Sequence, residues 1–135
     1  MGGGHMAIRF LNPKETEGIR SYLNGDPEFK LASKYVLTNI LLEVGDSRCV
    51  VKVREGQVSE LAVNPVFFDA CSFFLRGSED AWNKFLQPVP PPFYNGVFSA
   101  AIRQNFQIGG NLEDAFSYFW ALTRMLDVFR ELQNK

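Results

Sequence analysis

The chain has 135 residues, 46% of them hydrophobic and 21% charged, with a formal net charge of −1. That composition suits one globular unit with enough length for a real core, and it argues against disorder. There is no basic stripe to hold nucleic acid, and no apolar run reaches the roughly 18 residues of a bilayer span.

The opening MGGGHM reads as a tag remnant, so residues 1–5 are set aside and residues 6–135 are taken as one domain. The only histidine, His5, falls in that remnant. Serine–histidine and cysteine–histidine chemistry are therefore not expected, nor is a His-ligated metal. Cys49 and Cys71 form no CxxC pair and sit in apolar stretches. Buried free thiols in a reducing, cytoplasmic setting are the expectation.

In chain order, NPKE offers a helix start: Asn12 as N-cap, Pro13 in the first position and Glu15 closing a capping box. Asn24–Gly25 stops that helix, and Asp26–Pro27 starts a second, short one. The period then changes. Residues 39–44 and 48–56 are β-like and joined by a GDS turn, and 58–64 follow after the EGQ turn. In the second of these strands Cys49, Val51 and Val53 share one face while Val50, Lys52 and Arg54 share the other. Residues 71–77 form a fourth strand candidate, in which Phe73 and Phe74 must face opposite ways. Ser78 caps a helix with acidic residues in its first turn. Pro88 to Pro92 make a stiff connection, and the segment after them is helical in its second half. Residues 106–111 read as a last strand, and Asn111 caps one long C-terminal helix. The fold class is α+β: a mostly antiparallel sheet with helices packed on one face.

Three stretches, CVVKVREGQVSELAV, SFFLRGSEDAWNKFL and FQIGGNLEDAFSYFWALTRML, resemble the sterol carrier protein type 2 superfamily. The matching residues are Glu55–Gly56, Gly77 to Trp82, and Ile108 to Leu112 with Ala115, and the resemblance spans about Ile19 to Leu132. It implies a five-stranded sheet covered by helices, with an apolar cavity between the two. It also implies non-covalent binding of a fatty acid, acyl-CoA, sterol or phospholipid, with no cofactor and no chemistry. Transfer of the bound molecule is compatible with that role. The stretch PVPPPFYNGVFSAAI is bulkier and richer in proline than the family's small-residue segment there, which flanks the ligand entrance.

The C-terminal helix bears on this. Its polar positions leave an apolar arc much wider than the roughly 100° of a surface helix, so it needs cover on two sides. One cover is the sheet, and the other is a neighbouring helix, a lipid or a partner chain. The elements that line the family's cavity nominate Phe85, Phe98, Phe106, Ile108, Phe116, Phe119 and Trp120 as ligand-binding residues; ordinary core packing is the plain alternative at each. For a head group, Arg76, Arg103 and Arg124 are candidates, and Arg103, just before the last strand, is the favoured one. Carboxylates are present, but none sits in an apolar run with an obvious partner, and there is no phosphate loop or dinucleotide fingerprint, so neither an enzyme nor a metal site is expected. The expected partner is an apolar small molecule, with at most transient membrane contact, bound by a monomer or homodimer. The rival is a non-enzymatic interaction or oligomerisation module with the same fold and a filled core.

Overall fold

The computed structural model describes residues 7–67, 70–90 and 106–135. After a 3-10 turn at Arg9–Leu11 the described helices are α1 (Thr16–Gly25), α2 (Pro27–Ala32), α3 (Glu79–Phe85), α4 (Leu112–Ser117) and α5 (Phe119–Gln133). The described strands are β1 (Leu37–Val44), β2 (Ser47–Arg54), β3 (Gln57–Val63), β4 (Phe73–Gly77) and β5 (Phe106–Gly110). They form one sheet in the order β3-β2-β1-β4-β5.

Three helix starts are set by local chemistry, as the sequence indicates. The Asp26 carboxylate accepts the Phe29 amide at 2.8 Å, with Pro27 in the first position of α2. Ser78 Oγ accepts the Ala81 amide at 3.1 Å, and Asn111 Oδ1 accepts the Asp114 amide at 3.0 Å. Each satisfies an amide that the helix itself leaves unpaired. Two expectations are corrected. Helix α1 begins at Thr16 rather than after Asn12. Asn12 does accept the Lys14 amide at 3.0 Å and does bond Glu15, but those bonds close a turn that α1 follows. The C-terminal helix is not one rod: Tyr118 (φ −101°, ψ 20°) ends α4 and precedes α5. No proline or glycine marks that break; it falls in a run of aromatic residues, which are weak helix formers.

β1, β2 and β3 are an antiparallel meander. Its turns use left-handed backbone at Gly45 (φ 58°), and at Glu55 and Gly56 (φ 46° and 91°), as tight hairpins between twisted strands require. β4 then runs parallel to β1, with Ile40 opposite Phe73. β5 pairs antiparallel with β4. Just before β4, Ala70 meets the outer face of the sheet, where the Asn39 amide group donates to its carbonyl oxygen at 3.1 Å. Val50 lies on that face and is nonetheless 1% exposed.

The inner face carries Ile40, Leu42, Val44, Cys49, Val51, Val53, Phe73 and Leu75, all buried against the helical layer. Phe73 and Phe74 point opposite ways, as alternation demands. The Phe74 ring lies over Gly109, where an added Cβ would sit 2.2 Å from it, and the Arg76 guanidinium stacks 4.5 Å from the ring centre. Gly110 is constrained twice. Its φ is +85°, and a Cβ would meet Ser72 O at 2.7 Å. Gly110→Ala is therefore expected to cost about 2 kcal/mol in urea unfolding, through backbone strain and the clash with the segment leading into β4.

Two tertiary ties hold α5 in place. Arg124 grips Asp26 with two bonds, Nε to Oδ2 at 2.9 Å and an Nη to Oδ1 at 2.8 Å, locking α5 to the cap of α2. Gln133 accepts the Arg9 amide at 2.8 Å and donates to Ala7 O at 2.7 Å, joining the two ends of the described chain.

Candidate functional site

The layer packed between the inner sheet face and α5 has two unlike ends. At one, α3 and the start of β5 bring five rings together. Trp82 meets Phe106 at 4.8 Å, Phe10 at 5.5 Å and Phe85 at 5.9 Å between ring centres, each edge-on. Phe85 meets Phe106 at 5.4 Å, and Phe10 stacks on Phe129 of α5 at 5.0 Å. Such offset and edge-to-face contacts add to the stabilisation from burial alone. Trp82 also donates its indole N–H to Glu43 O at 2.9 Å. Gly77 makes the seat: a Cβ there would stand 2.9 Å from the Phe106 ring. Arg130 of α5 closes this end, with its Nε on Phe85 O at 2.9 Å and its guanidinium 4.8 Å from the Phe85 ring. Burial pushes the Arg130 pKa down from its ordinary value.

At the other end, α4 and the first turn of α5 carry the aromatic surplus. Leu112 and Phe116 lie four residues apart on α4, and Trp120 lies in the first turn of α5; they are 47%, 62% and 73% exposed. Phe119 is half-buried and edge-on to Trp120 at 5.0 Å. Tyr118 and Ile108 are half-buried and pack on the core. α4 is tied down where the Ser72 hydroxyl donates to Asp114 and the Asn111 amide bonds Ser72 O at 2.8 Å.

The residues nominated from sequence thus separate. Phe85 and Phe106 are 3% and 2% exposed, inside the ring cluster. Ile108, Phe116, Phe119 and Trp120 belong to the other end. Phe98 and Arg103 lie outside the described residues, as does the segment expected to turn helical after Pro92. Of the remaining head-group candidates, Arg124 is engaged by Asp26, and Arg76 pairs with Glu43 at 2.9 Å on the outer sheet face. Sequence reasoning did not nominate Phe10, Trp82 or Phe129 for this space. Phe10 precedes the first cap motif and has no periodic partner, so nothing local marks it.

Other chemistry finds little support. Cys49 and Cys71 form no disulfide with each other, and burial pushes the Cys49 thiol up to about 12, leaving it protonated at neutral pH. Among the described residues no group of three or more His, Cys, Asp or Glu is placed to hold a metal, and no helix is long and apolar enough to cross a membrane. A cleft of 320 Å³ beside the N-terminal turn is lined by Arg9, Lys14, Glu15, Gly18, Ile19, Tyr22 and Leu132, none of them nominated as ligand-binding.

This mixed five-stranded sheet, with its helices packed on one face, has the fold of the sterol carrier proteins. Among solved structures, a crystal structure of sterol carrier protein 2 superposes with a TM-score of 0.74 at 15% identity, covering 90% of this chain and 97% of that one. A conserved hypothetical protein from Thermus thermophilus, described as a candidate sterol carrier protein, matches with a TM-score of 0.70 at 13% identity, over 96% and 94% of the two chains. A UbiJ-SCP2 ubiquinone synthesis protein matches with a TM-score of 0.55 at 19% identity, over 87% and 94%. At these identities the likeness is one of fold. No protein-family model matches the sequence, and no curated protein matches it.

Proposed function

We propose that the protein binds an apolar ligand of the lipid class between its sheet and its C-terminal helices, and that the ligand enters beside the α4–α5 junction. The observation that carries this reading is the exposure of Leu112 and Phe116 on α4 and Trp120 on α5, beside half-buried Ile108, Tyr118 and Phe119, on a sterol carrier fold. Large apolar side chains are costly to leave in water, each worth roughly 1.5–3 kcal/mol on burial. A ligand seated among them would recover part of that. No bond is made or broken; the ligand's apolar body takes the place of missing core. Transfer between membranes would follow from the same burial, and the working form is a monomer.

Native mass spectrometry of freshly purified protein, with organic extraction of anything bound, tests the reading. A co-purified lipid of defined mass supports it. A bare chain whose tryptophan emission ignores added lipid rejects it. Because Trp120 is mostly exposed, Trp120→Ala should change stability by no more than about 0.5 kcal/mol while weakening ligand uptake several-fold. Thermal melts beside fluorescence titrations separate those two effects.

A second reading has its own observation. The five-ring cluster fills its end of the layer, and Leu31, Tyr35 and Leu37 form another exposed apolar group, 77%, 81% and 58% exposed. An interaction module with a filled core would present such surfaces to a partner. A stable dimer carrying no small molecule in the same mass spectrum favours it.

A further inference from the structure

We propose that the 320 Å³ cleft beside the N-terminal turn binds a small organic carboxylate, at a site separate from the proposed lipid site and independent of it. The 3-10 turn, the start of α1 and the end of α5 enclose the cleft. Gly18, Ile19 and Tyr22 fall at three- and four-residue spacing and share one face of α1. Gly18 keeps the cleft open. Its φ is not left-handed, and an added Cβ would meet nothing within 4 Å, so neither strain nor packing calls for glycine there. Glycine weakens a helix, and what its missing side chain leaves here is room.

The lining combines apolar groups with a surplus of positive charge. Ile19 is buried, Leu132 is half-buried and Tyr22 is partly exposed. The one carboxylate, Glu15, is offset by Arg9, whose Nε lies 3.8 Å away. An Arg9 Nη also donates to Lys135 O at 2.9 Å, so that guanidinium is engaged. Lys14 remains. It is exposed, and among the described residues its ammonium forms no ion pair. The Lys135 ammonium stands 4.8 Å from the centre of the Tyr22 ring and brings a second cation to the cleft. Two ammonium groups beside apolar side chains suit a singly charged carboxylate on a compact apolar body. A phosphate dianion would call for the bidentate fork that Arg9 has committed elsewhere. The volume equals that of about ten water molecules, enough for a fused ring and too little for a long acyl chain.

The test is two-dimensional NMR of the isotope-labelled protein, titrated with naphthoate and with its uncharged isostere naphthamide. Naphthoate should give saturable shifts at the Gly18, Ile19, Tyr22 and Leu132 amides, with a dissociation constant of about 1 mM or below at low salt. Naphthamide should bind at least about 3-fold more weakly, and Lys14→Gln should weaken naphthoate by about the same factor. Raising the salt should erode the difference between the two probes. Gly18→Leu should fill the cleft and abolish the shifts at Ile19, Tyr22 and Leu132. Its melting temperature should hold or rise, because leucine forms helix better than glycine. No saturable shift at these amides overturns the site. So do shifts confined to Ile108 and Trp120, which would send the acid to the proposed lipid site instead, and so does naphthamide binding as tightly as naphthoate. The two probes and the salt series use the unaltered protein, so the test does not depend on either variant folding. A failure of lipid binding in the mass spectrum leaves this result untouched.

Discussion

Trp82→Ala should lower the unfolding free energy by about 4 kcal/mol, a large part of the roughly 5–15 kcal/mol typical of a whole domain. Trp82 has no exposed surface, and it touches Phe10, Phe85 and Phe106. Truncation removes that packing and leaves a cavity among rings that cannot collapse into it. It also takes the indole donor from Glu43 O, on the strand that β2 and β4 flank. Trp82→Phe restores most of the volume and none of the hydrogen bond, so about 2 kcal/mol is expected. Urea unfolding of the two variants separates packing from the bond. If both cost less than about 1 kcal/mol, the cluster is not the rigid unit described.

Asp26 is expected to be the next most sensitive position. It caps α2 and receives both arms of Arg124, and it is itself buried. Asp26→Ala should cost about 3 kcal/mol, less than a fully buried pair would, because the Arg124 side chain is 20% exposed and keeps Glu28 and Glu131 nearby. Asp26→Asn retains a good cap and should recover about 1 kcal/mol of the loss. The Arg124 hydrogen bonds, more than the Phe29 amide, hold the Asp26 carboxyl below its ordinary 3.8. Its contribution is therefore complete above the unfolded-state pKa. It is lost as pH falls through the lower folded-state value, where the folded form must also take up a proton. Stability measured across the acid range, down through the folded-state pKa of Asp26, should show a shallower acid limb in Asp26→Asn than in the unaltered protein.

The fold is legible in the sequence where its causes are local. The caps at Asp26, Ser78 and Asn111, the two hairpin turns and the opposed faces of Phe73 and Phe74 each depend on residues a few positions apart. The parallel pairing of β4 with β1 is set by contacts such as Ile40 with Phe73, distant along the chain, and no local pattern encodes it. The start of α1 at Thr16 and the break at Tyr118 escape a local reading for related reasons. At the first, a cap motif closes a turn instead of a helix; at the second, an aromatic run breaks a helix without a breaker residue. The candidate site is legible as composition rather than as position. The width of the apolar arc on the last helix signals a surplus, and that surplus stands exposed at Phe116 and Trp120. That Phe85 and Phe106 instead close on Trp82 depends on how α3 meets β5, which spacing along the chain does not reveal.

The bonds from Gln133 to Ala7 and Arg9 have a consequence for how such a unit can be embedded in a larger architecture. Residues at opposite ends of the described chain lie side by side, so the ring of connectivity is nearly closed. Spliced through these two points into a surface loop of a host, the unit would occupy little more than the width of a tight turn, and the host backbone would continue almost undisturbed. Opening the chain instead at the Gly45–Asp46 turn and bridging Gln133 to Ala7 with a few residues would preserve the described strand pairings, giving a circular permutant with the same sheet.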